Sequence, residues 1–277
     1  MKTTINTLKD KKGKEPITIL TCYDYYTATV MGQTDIDAIL VGDSLGMVFK
    51  GDENTLSVTL DEIIYHTKAV KKGAYDKFII SDIPFLSYKI SVKDTVRNGG
   101  KIIKYGNADA VKMEGGVEIC KEIKALVNAD IPVCGHLGLT PQAINLFGGN
   151  KVQGKTYEKA KEILYSAMAL EEAGVFAIVL ECIPQDLAKL ITEKISIPTI
   201  GIGAGIYTDG QVLVINDILG TYNKPSPKFS KKFSNVDIET KNGIETYIKD
   251  VKNKNFPTEF NTFTSIDKYV IDKLREA

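Results

Sequence analysis

Asp43, Asp82, Glu114 and Glu181 each stand at the end of a short apolar run, and Lys112 and His136 occupy the same kind of place. Acids grouped in this way can bind a hard divalent cation and can take a proton from carbon. Mg2+ accepts one or two carboxylates and completes its shell with water and substrate oxygens. A carboxylate in a dry pocket can serve as a general base. Lys112 precedes Glu114 by two residues, so in a strand both side chains project to the same side. Soft nitrogen and sulfur ligands are missing from the set, so zinc suits it less well than Mg2+.

Each residue also has an ordinary structural reading. A lone aspartate after a strand is often a helix N-cap. Lys112 and Glu114 can form a buried ion pair, His136 can be a satisfied core histidine, and Glu181 can carry a surface hydrogen bond. The set says more than its members. Acids, a lysine and a histidine at the same ends of consecutive strands are costly to bury without a purpose. His66 falls mid-helix beside Tyr65, away from strand ends, and reads as structural.

The elements that must hold these residues are β-rich apolar runs alternating with helix-period segments, the mark of a parallel sheet with crossover helices. The runs are Ile17–Thr21, Ala38–Val41, Phe78–Ile80, Ala110–Met113, Ile131–Cys134, Val175–Leu180, Ile197–Ile202 and Val212–Ile215. They are almost continuously apolar, as strands covered on both faces should be. Eight such units predict an α/β fold, a single (β/α)8 TIM-type barrel over residues 1–277 with extra C-terminal helices. Only about a dozen residues separate the last two runs, too few for a full crossover helix, so a doubly wound open sheet is the competing topology. In a barrel the strand C-termini gather on one face, where active sites are built.

Local signals support the helices. Thr59 and Glu62 form a capping-box pattern ahead of Ile63, Thr67 and Val70. Ala160, Ile163, Leu164, Ala167 and Leu170 make an apolar stripe that Gly174 stops. Pro184 opens a helix carrying Leu187, Leu190 and Ile191. Near the end, Ile244, Tyr247, Ile248 and Val251 line one amphipathic helix, and Ile266, Val270 and Leu274 line another. These helices are expected to pack on the barrel's outside or on a neighbouring subunit.

Composition excludes several roles. The 277 residues carry 35 basic and 35 acidic side chains, a net charge of zero that argues against a nucleic-acid or membrane-surface protein. The densest basic stretch, residues 224–232, also holds Pro225 and Pro227 and reads as a solvated loop. No apolar signal-peptide core precedes Pro16, and no apolar run reaches membrane-spanning length. Cys22, Cys120, Cys134 and Cys182 show no C-x-x-C pairing and read as reduced thiols, which with the foregoing places the protein in the cytoplasm. Gly201–Gly205 matches no phosphate-loop spacing, and close backbone approach accounts for it equally well.

Several longer segments are recognisable. Leu40–Met47, Val111–Gly116, Val133–Gln142 and Thr199–Gly205 closely resemble the ketopantoate hydroxymethyltransferase family, as do Tyr65–Thr67, Lys151–Gly154, Leu180–Cys182 and Thr208–Gln211. The resemblance runs from about residue 3 to about residue 263. It implies a (β/α)8 barrel, a homodecamer, Mg2+ or a similar divalent cation, and transfer of a one-carbon unit from 5,10-methylenetetrahydrofolate to 3-methyl-2-oxobutanoate through a metal-stabilised enolate. By motif, Asp43 and Asp82 match the metal ligands, and Glu114 matches a further acid of that site, reached directly or through water. Ser44 and Lys112 match positions holding the keto acid's oxygens, and Glu181 matches the general base. Substrate is thus expected at Asp43, Ser44, Asp82, Lys112 and His136, with catalysis by Glu181 and Lys112. Asn216 departs from the pattern where many members carry histidine, and residues 264–277 look like a helical extension.

Two other readings compete. A lyase or mutase of the isocitrate-lyase and phosphoenolpyruvate-mutase type shares the barrel and the metal-enolate logic. Such an enzyme needs arginines for a multiply charged substrate, and only Arg97 and Arg275 occur here. A non-catalytic binding barrel is the second, and the intact acids with Lys112 argue against it.

Overall fold

Runs buried on both faces can only pair edge to edge with similar runs, and a parallel set can escape having exposed edges by closing. The computed structural model, which describes residues 3–149, 151–221, 227–263 and 265–277, shows this solution. Strands β1 (Ile17–Thr21), β2 (Ala38–Val41), β3 (Phe78–Asp82), β4 (Ala110–Glu114), β5 (Val133–Gly138), β6 (Ala177–Glu181), β7 (Thr199–Ile202) and β8 (Gly210–Leu213) form a closed parallel barrel in sequence order. β8 returns to β1 through Ile17 to Gly210 and Leu20 to Leu213, which rules out the open sheet.

The helices are α1 (Ile5–Lys11), α2 (Tyr25–Gly32), α3 (Leu60–Gly73), α4 (Val92–Lys101), α5 (Cys120–Asn128), α6 (Ile144–Phe147), α7 (Tyr157–Ala173), α8 (Gln185–Lys194), α9 (Ile215–Leu219), α10 (Val236–Lys252) and α11 (Lys268–Glu276). The predicted caps are present. Thr59 and Glu62 bond reciprocally at the start of α3, and Gly174 ends α7 in the left-handed conformation at φ 101°. Pro184 immediately precedes α8. No helix joins β7 to β8, as the short interval requires.

β1 and β2 keep their predicted bounds, and the other six strands shift at one or both ends. β5 continues through Gly135, His136, Leu137 and Gly138, and β8 begins at Gly210 rather than Val212. Glycines and polar residues hide both segments from an apolar count. His136 therefore lies within a strand, not after one.

Period-two alternation divides the core. Ile39, Val41, Ile79, Val111, Met113, Ile178 and Leu180 face the helices. Ile19, Leu40, Phe78, Ile80, Ala110, Cys134, Ala177, Val179 and Val212 fill the barrel, with Leu8 of α1 in the same cluster. Moving toward the strand C-termini, the inward positions turn from apolar to ionisable: Phe78 and Ile80 lead to Asp82, Ala110 to Lys112 and Glu114, Ala177 and Val179 to Glu181. At the opposite end, Asp37, Asp109 and Asp209 accept the N–H groups of Thr18, Ile79 and Thr199, closing the barrel floor.

The C-terminal region differs from expectation. α10 and α11 contain no buried residue, and Ile244, Tyr247, Ile248, Val251, Val270 and Leu274 remain exposed. These helices do not bury their apolar faces against the barrel. Of the basic stretch at 224–232, Lys224 and Pro225 lie outside the described residues, and Lys228, Lys231 and Lys232 are exposed. Thr264, where the extension begins, also lies outside them. Among the described residues, no helix is long and apolar enough to cross a membrane.

Candidate active site

Strand register decides which charges meet. Asp82 pairs with Lys112 across β3 and β4, and Glu114 pairs with His136 across β4 and β5. Neighbouring parallel residues project to the same side, so each pair meets inside the barrel mouth. Lys112 Nζ lies 2.8 Å from Asp82 Oδ1, and His136 Nδ1 lies 3.2 Å from Glu114 Oε1. His136 Nε2 reaches Glu181 Oε2 at 3.1 Å, and Lys112 Nζ stands 3.2 Å from His136 Nδ1. Asp43 joins from the loop after β2, its backbone N–H donating to Asp82 Oδ2 at 3.0 Å. Asp43, Asp82, Lys112, Glu114 and His136 are all buried, whereas Glu181 keeps part of its side chain open. The structure thus brings the six predicted ionisable residues together.

Burial at this density perturbs the groups. Burial, then the charges of Asp82 and Glu114, push the Asp43 carboxyl well above the usual carboxylate range. Burial alone would lower Lys112, but Asp82, Glu114 and Asp43 outweigh it and hold the ammonium charged. Burial pushes Glu114 up as well, and its hydrogen bond to His136 together with the charges of His136 and Lys112 reverses the sign. His136 is pulled down by burial and by Lys112, yet Glu114 and Glu181 lift it to about 9. Nδ1 there faces both Glu114 Oε1 and Lys112 Nζ, and Nε2 faces Glu181 Oε2 without a directed hydrogen bond.

Ser44 is half-buried, and its Oγ shares a 2.8 Å hydrogen bond with the Tyr23 hydroxyl. His66 is buried in α3 with Nδ1 against the Tyr23 carbonyl, a structural role as expected. Asn216, in α9, donates to Thr221 Oγ1 at 2.9 Å while its Oδ1 is buried without a hydrogen bond. Gly201 brings its backbone against Thr208 and Gln211, where a Cβ would fall 2.7 Å from Thr208 Oγ1. The glycine loop is therefore built for close packing. Both arginines lie elsewhere: Arg97 pairs with Asp94 in α4, and Arg275 with Asp272 in α11.

Sequence reasoning missed Tyr88 and Gln142. Gln142 Nε2 donates to Asp43 Oδ2 at 2.8 Å, and the Gln142 backbone N–H donates to Glu114 Oε2 at 2.9 Å. Tyr88 Oη donates to Gln142 Oε1 at 2.7 Å. A glutamine after a strand carries no charge to flag it, and Tyr88 sits in a loop without periodicity.

The donor set suits a hard cation. Asp43 and Asp82 offer oxygens only, their mutual repulsion exceeds what Lys112 neutralises, and Asp82 Oδ1 has no properly directed hydrogen bond despite its burial. Among the described residues, no group of three or more His, Cys, Asp or Glu side chains is arranged to hold a metal by itself. A cation here would draw part of its shell from substrate and water.

A closed parallel barrel with ionisable groups gathered at its strand C-termini defines an α/β-barrel enzyme. The same architecture appears in phosphonopyruvate hydrolase in complex with oxalate and Mg2+, at TM-score 0.60 and 12% identity over 99% of this chain and 96% of that one. 2,3-Dimethylmalate lyase, a member of the phosphoenolpyruvate mutase/isocitrate lyase superfamily, follows at 0.57 and 17%, over 76% and 80%. At such identities the likeness shows the fold. The sequence goes further: the profile of the ketopantoate hydroxymethyltransferase family matches residues 2–259, and the chain belongs to that family. The 3-methyl-2-oxobutanoate hydroxymethyltransferases of Clostridium botulinum (strain Alaska E43 / Type E3) and Clostridioides difficile (strain 630) are each 54% identical to it, over 99% of this chain and 100% of theirs. The chain is accordingly a hydroxymethyltransferase.

Proposed function

We propose that the chain transfers a hydroxymethyl group from 5,10-methylenetetrahydrofolate to 3-methyl-2-oxobutanoate, giving ketopantoate for pantothenate and coenzyme A synthesis. The observation that carries this reading is the buried Asp43–Asp82–Lys112–Glu114 cluster beside the partly open Glu181, in a chain of this family. Asp43 and Asp82 hold a divalent cation, Mg2+ by the hardness of their oxygens, with Glu114 behind them in direct contact or through water. A cation held there would supply Lewis-acid polarisation of a bound 2-oxo acid.

Ser44 and Lys112 bind the keto acid's oxygens, and His136 closes the same side of the pocket. Glu181 removes the proton from C3, and the electron pair left behind delocalises toward the oxygen that Lys112 faces. C3 then attacks the methylene carbon of the folate as its bond to N10 breaks. Water replaces N5 on that carbon as hydroxyl, and the proton taken from C3 and the second proton of water go to the two nitrogens, releasing tetrahydrofolate. The exposed apolar faces of α10 and α11 support a homo-oligomer, and the family resemblance suggests a decamer. The cysteines without C-x-x-C pairing support a cytoplasmic setting.

Exchange at C3 tests the reading. With Mg2+ but no folate, the protein should catalyse incorporation of deuterium at C3 of 3-methyl-2-oxobutanoate, and added methylenetetrahydrofolate should yield ketopantoate. Absence of metal-dependent exchange would instead indicate a binding barrel without chemistry.

A further inference from the structure

Asp43 is the one acid of the cluster that comes from a loop rather than a strand, so strand pairing does not orient it. The last torsion of an aspartate is soft, and a carboxylate pressed against like charges will rotate unless a donor holds it. That donor is the amide of Gln142. Its Nε2 makes two hydrogen bonds, to Asp43 Oδ2 at 2.8 Å and to the Ile83 carbonyl at 3.1 Å. Its Oε1 accepts from Tyr88 at 2.7 Å. Both donors and the acceptor are therefore engaged in a buried setting, with Gln142 7% and Tyr88 1% exposed.

These contacts favour one orientation of the amide. Turning the amide over would set Oε1 against the Asp43 carboxylate and the Ile83 carbonyl, acceptor against acceptor. The Tyr88 hydroxyl is in turn held by the backbone of Glu114: Oη accepts that residue's N–H at 3.2 Å, and its single proton is shared between Gln142 Oε1 at 2.7 Å and the Glu114 carbonyl at 2.9 Å. Gln142 also binds Glu114 Oε2 through its own N–H, so one residue sets the spacing of two acids from different elements. Pro141 begins the short turn carrying it and limits that turn's backbone freedom.

We propose that Gln142 is a positioning residue that aims the Asp43 carboxylate into the cation site, and that Tyr88 acts through Gln142 by fixing its amide. The proposal rests on the reading of Asp43 as a cation-holding group. Neither side chain touches a reacting atom. Partners one step behind a metal ligand typically carry about 10–100-fold in metal affinity.

Mn2+ binding followed by electron paramagnetic resonance, in the presence of 3-methyl-2-oxobutanoate, tests it on wild type, Tyr88→Phe, Gln142→Met and the double variant. Gln142→Met should weaken Mn2+ binding by about tenfold or more. Tyr88→Phe, which loses one hydroxyl, should weaken it about threefold. The double variant should match Gln142→Met, because Tyr88 then has no amide left to orient, whereas a role in packing alone would make the two effects add. Circular dichroism checks folding, and Tyr88→Phe decides the matter if Gln142→Met does not fold. Affinity unchanged in Gln142→Met, or in a folded Tyr88→Phe standing alone, overturns the proposal while leaving the cation site intact. A wild type that binds no Mn2+ overturns the cation reading itself, and the proposal with it.

Discussion

His136 Nε2 lies 3.1 Å from Glu181 Oε2, while its Nδ1 lies 3.2 Å from both Glu114 Oε1 and Lys112 Nζ. One imidazole thus stands between the carboxylate at the end of β6 and the charges of β4. Glu181 is the acid of the cluster that remains partly open, so His136 flanks the one group placed to meet an incoming C–H.

Glu181→Gln keeps the shape of that side chain and removes its basicity. Turnover should fall roughly 10²–10⁴-fold, the usual worth of a positioned general base. Keto-acid binding, measured by calorimetry with Mg2+, should stay close to wild type. Wild-type turnover in this variant would remove Glu181 from the role.

The His136 value sets a pH dependence of stability. Its folded-state value of about 9 lies above the ordinary 6.5, so its contribution is complete below about pH 6.5 and disappears as pH rises through about 9. Melting midpoints of metal-free protein in chelator should therefore decline across that window. His136→Gln should show a flatter profile, and parallel slopes would refute the assignment.

Asp43 has the opposite character to a stabilising acid. Burial and the adjacent carboxylates raise it, so ionising Asp43 weakens the metal-free fold. Asp43→Asn retains an acceptor for Gln142 and should raise the melting midpoint, at roughly 2–4 °C per kcal/mol gained. The same variant should lose divalent-cation binding. A lowered midpoint with intact binding would contradict both halves.

Lys112→Met preserves length and removes the charge that faces Asp82 at 2.8 Å. Stranding a buried carboxylate in this way costs roughly 3–5 kcal/mol, which urea denaturation of the metal-free protein would register. A cost near zero would mean that water reaches Asp82.

Gly138 ends β5 at φ 96°, and a Cβ there would collide with the Glu181 carbonyl of β6. Gly138→Ala should push that strand end aside, lowering turnover by about 10²-fold for a displacement near 1 Å. Comparing turnover with the melting midpoint checks it: a stable variant of full activity would show that the strand end does not set Glu181.

Much of this was open to a reader of the residues alone. Near-continuous apolar runs spaced by helical stripes predict a parallel sheet with crossover helices, closed or open, with Asp82, Lys112, Glu114 and Glu181 at the strand ends and Lys112 and Glu114 on the same side. The capping pair Thr59–Glu62 and the stop at Gly174 are local chemistry and formed as expected. Barrel closure and strand register decided the rest, because they bring together residues far apart in the chain. They set Asp82 beside Lys112 and Glu114 beside His136, and they carried Gln142 across 99 positions to Asp43. Periodicity reports which face a side chain takes within its own element. The partner it meets there, whether a loop tyrosine orienting an amide or an apolar stripe on α10 left without cover, depends on how the elements are packed, and only the folded chain contains that.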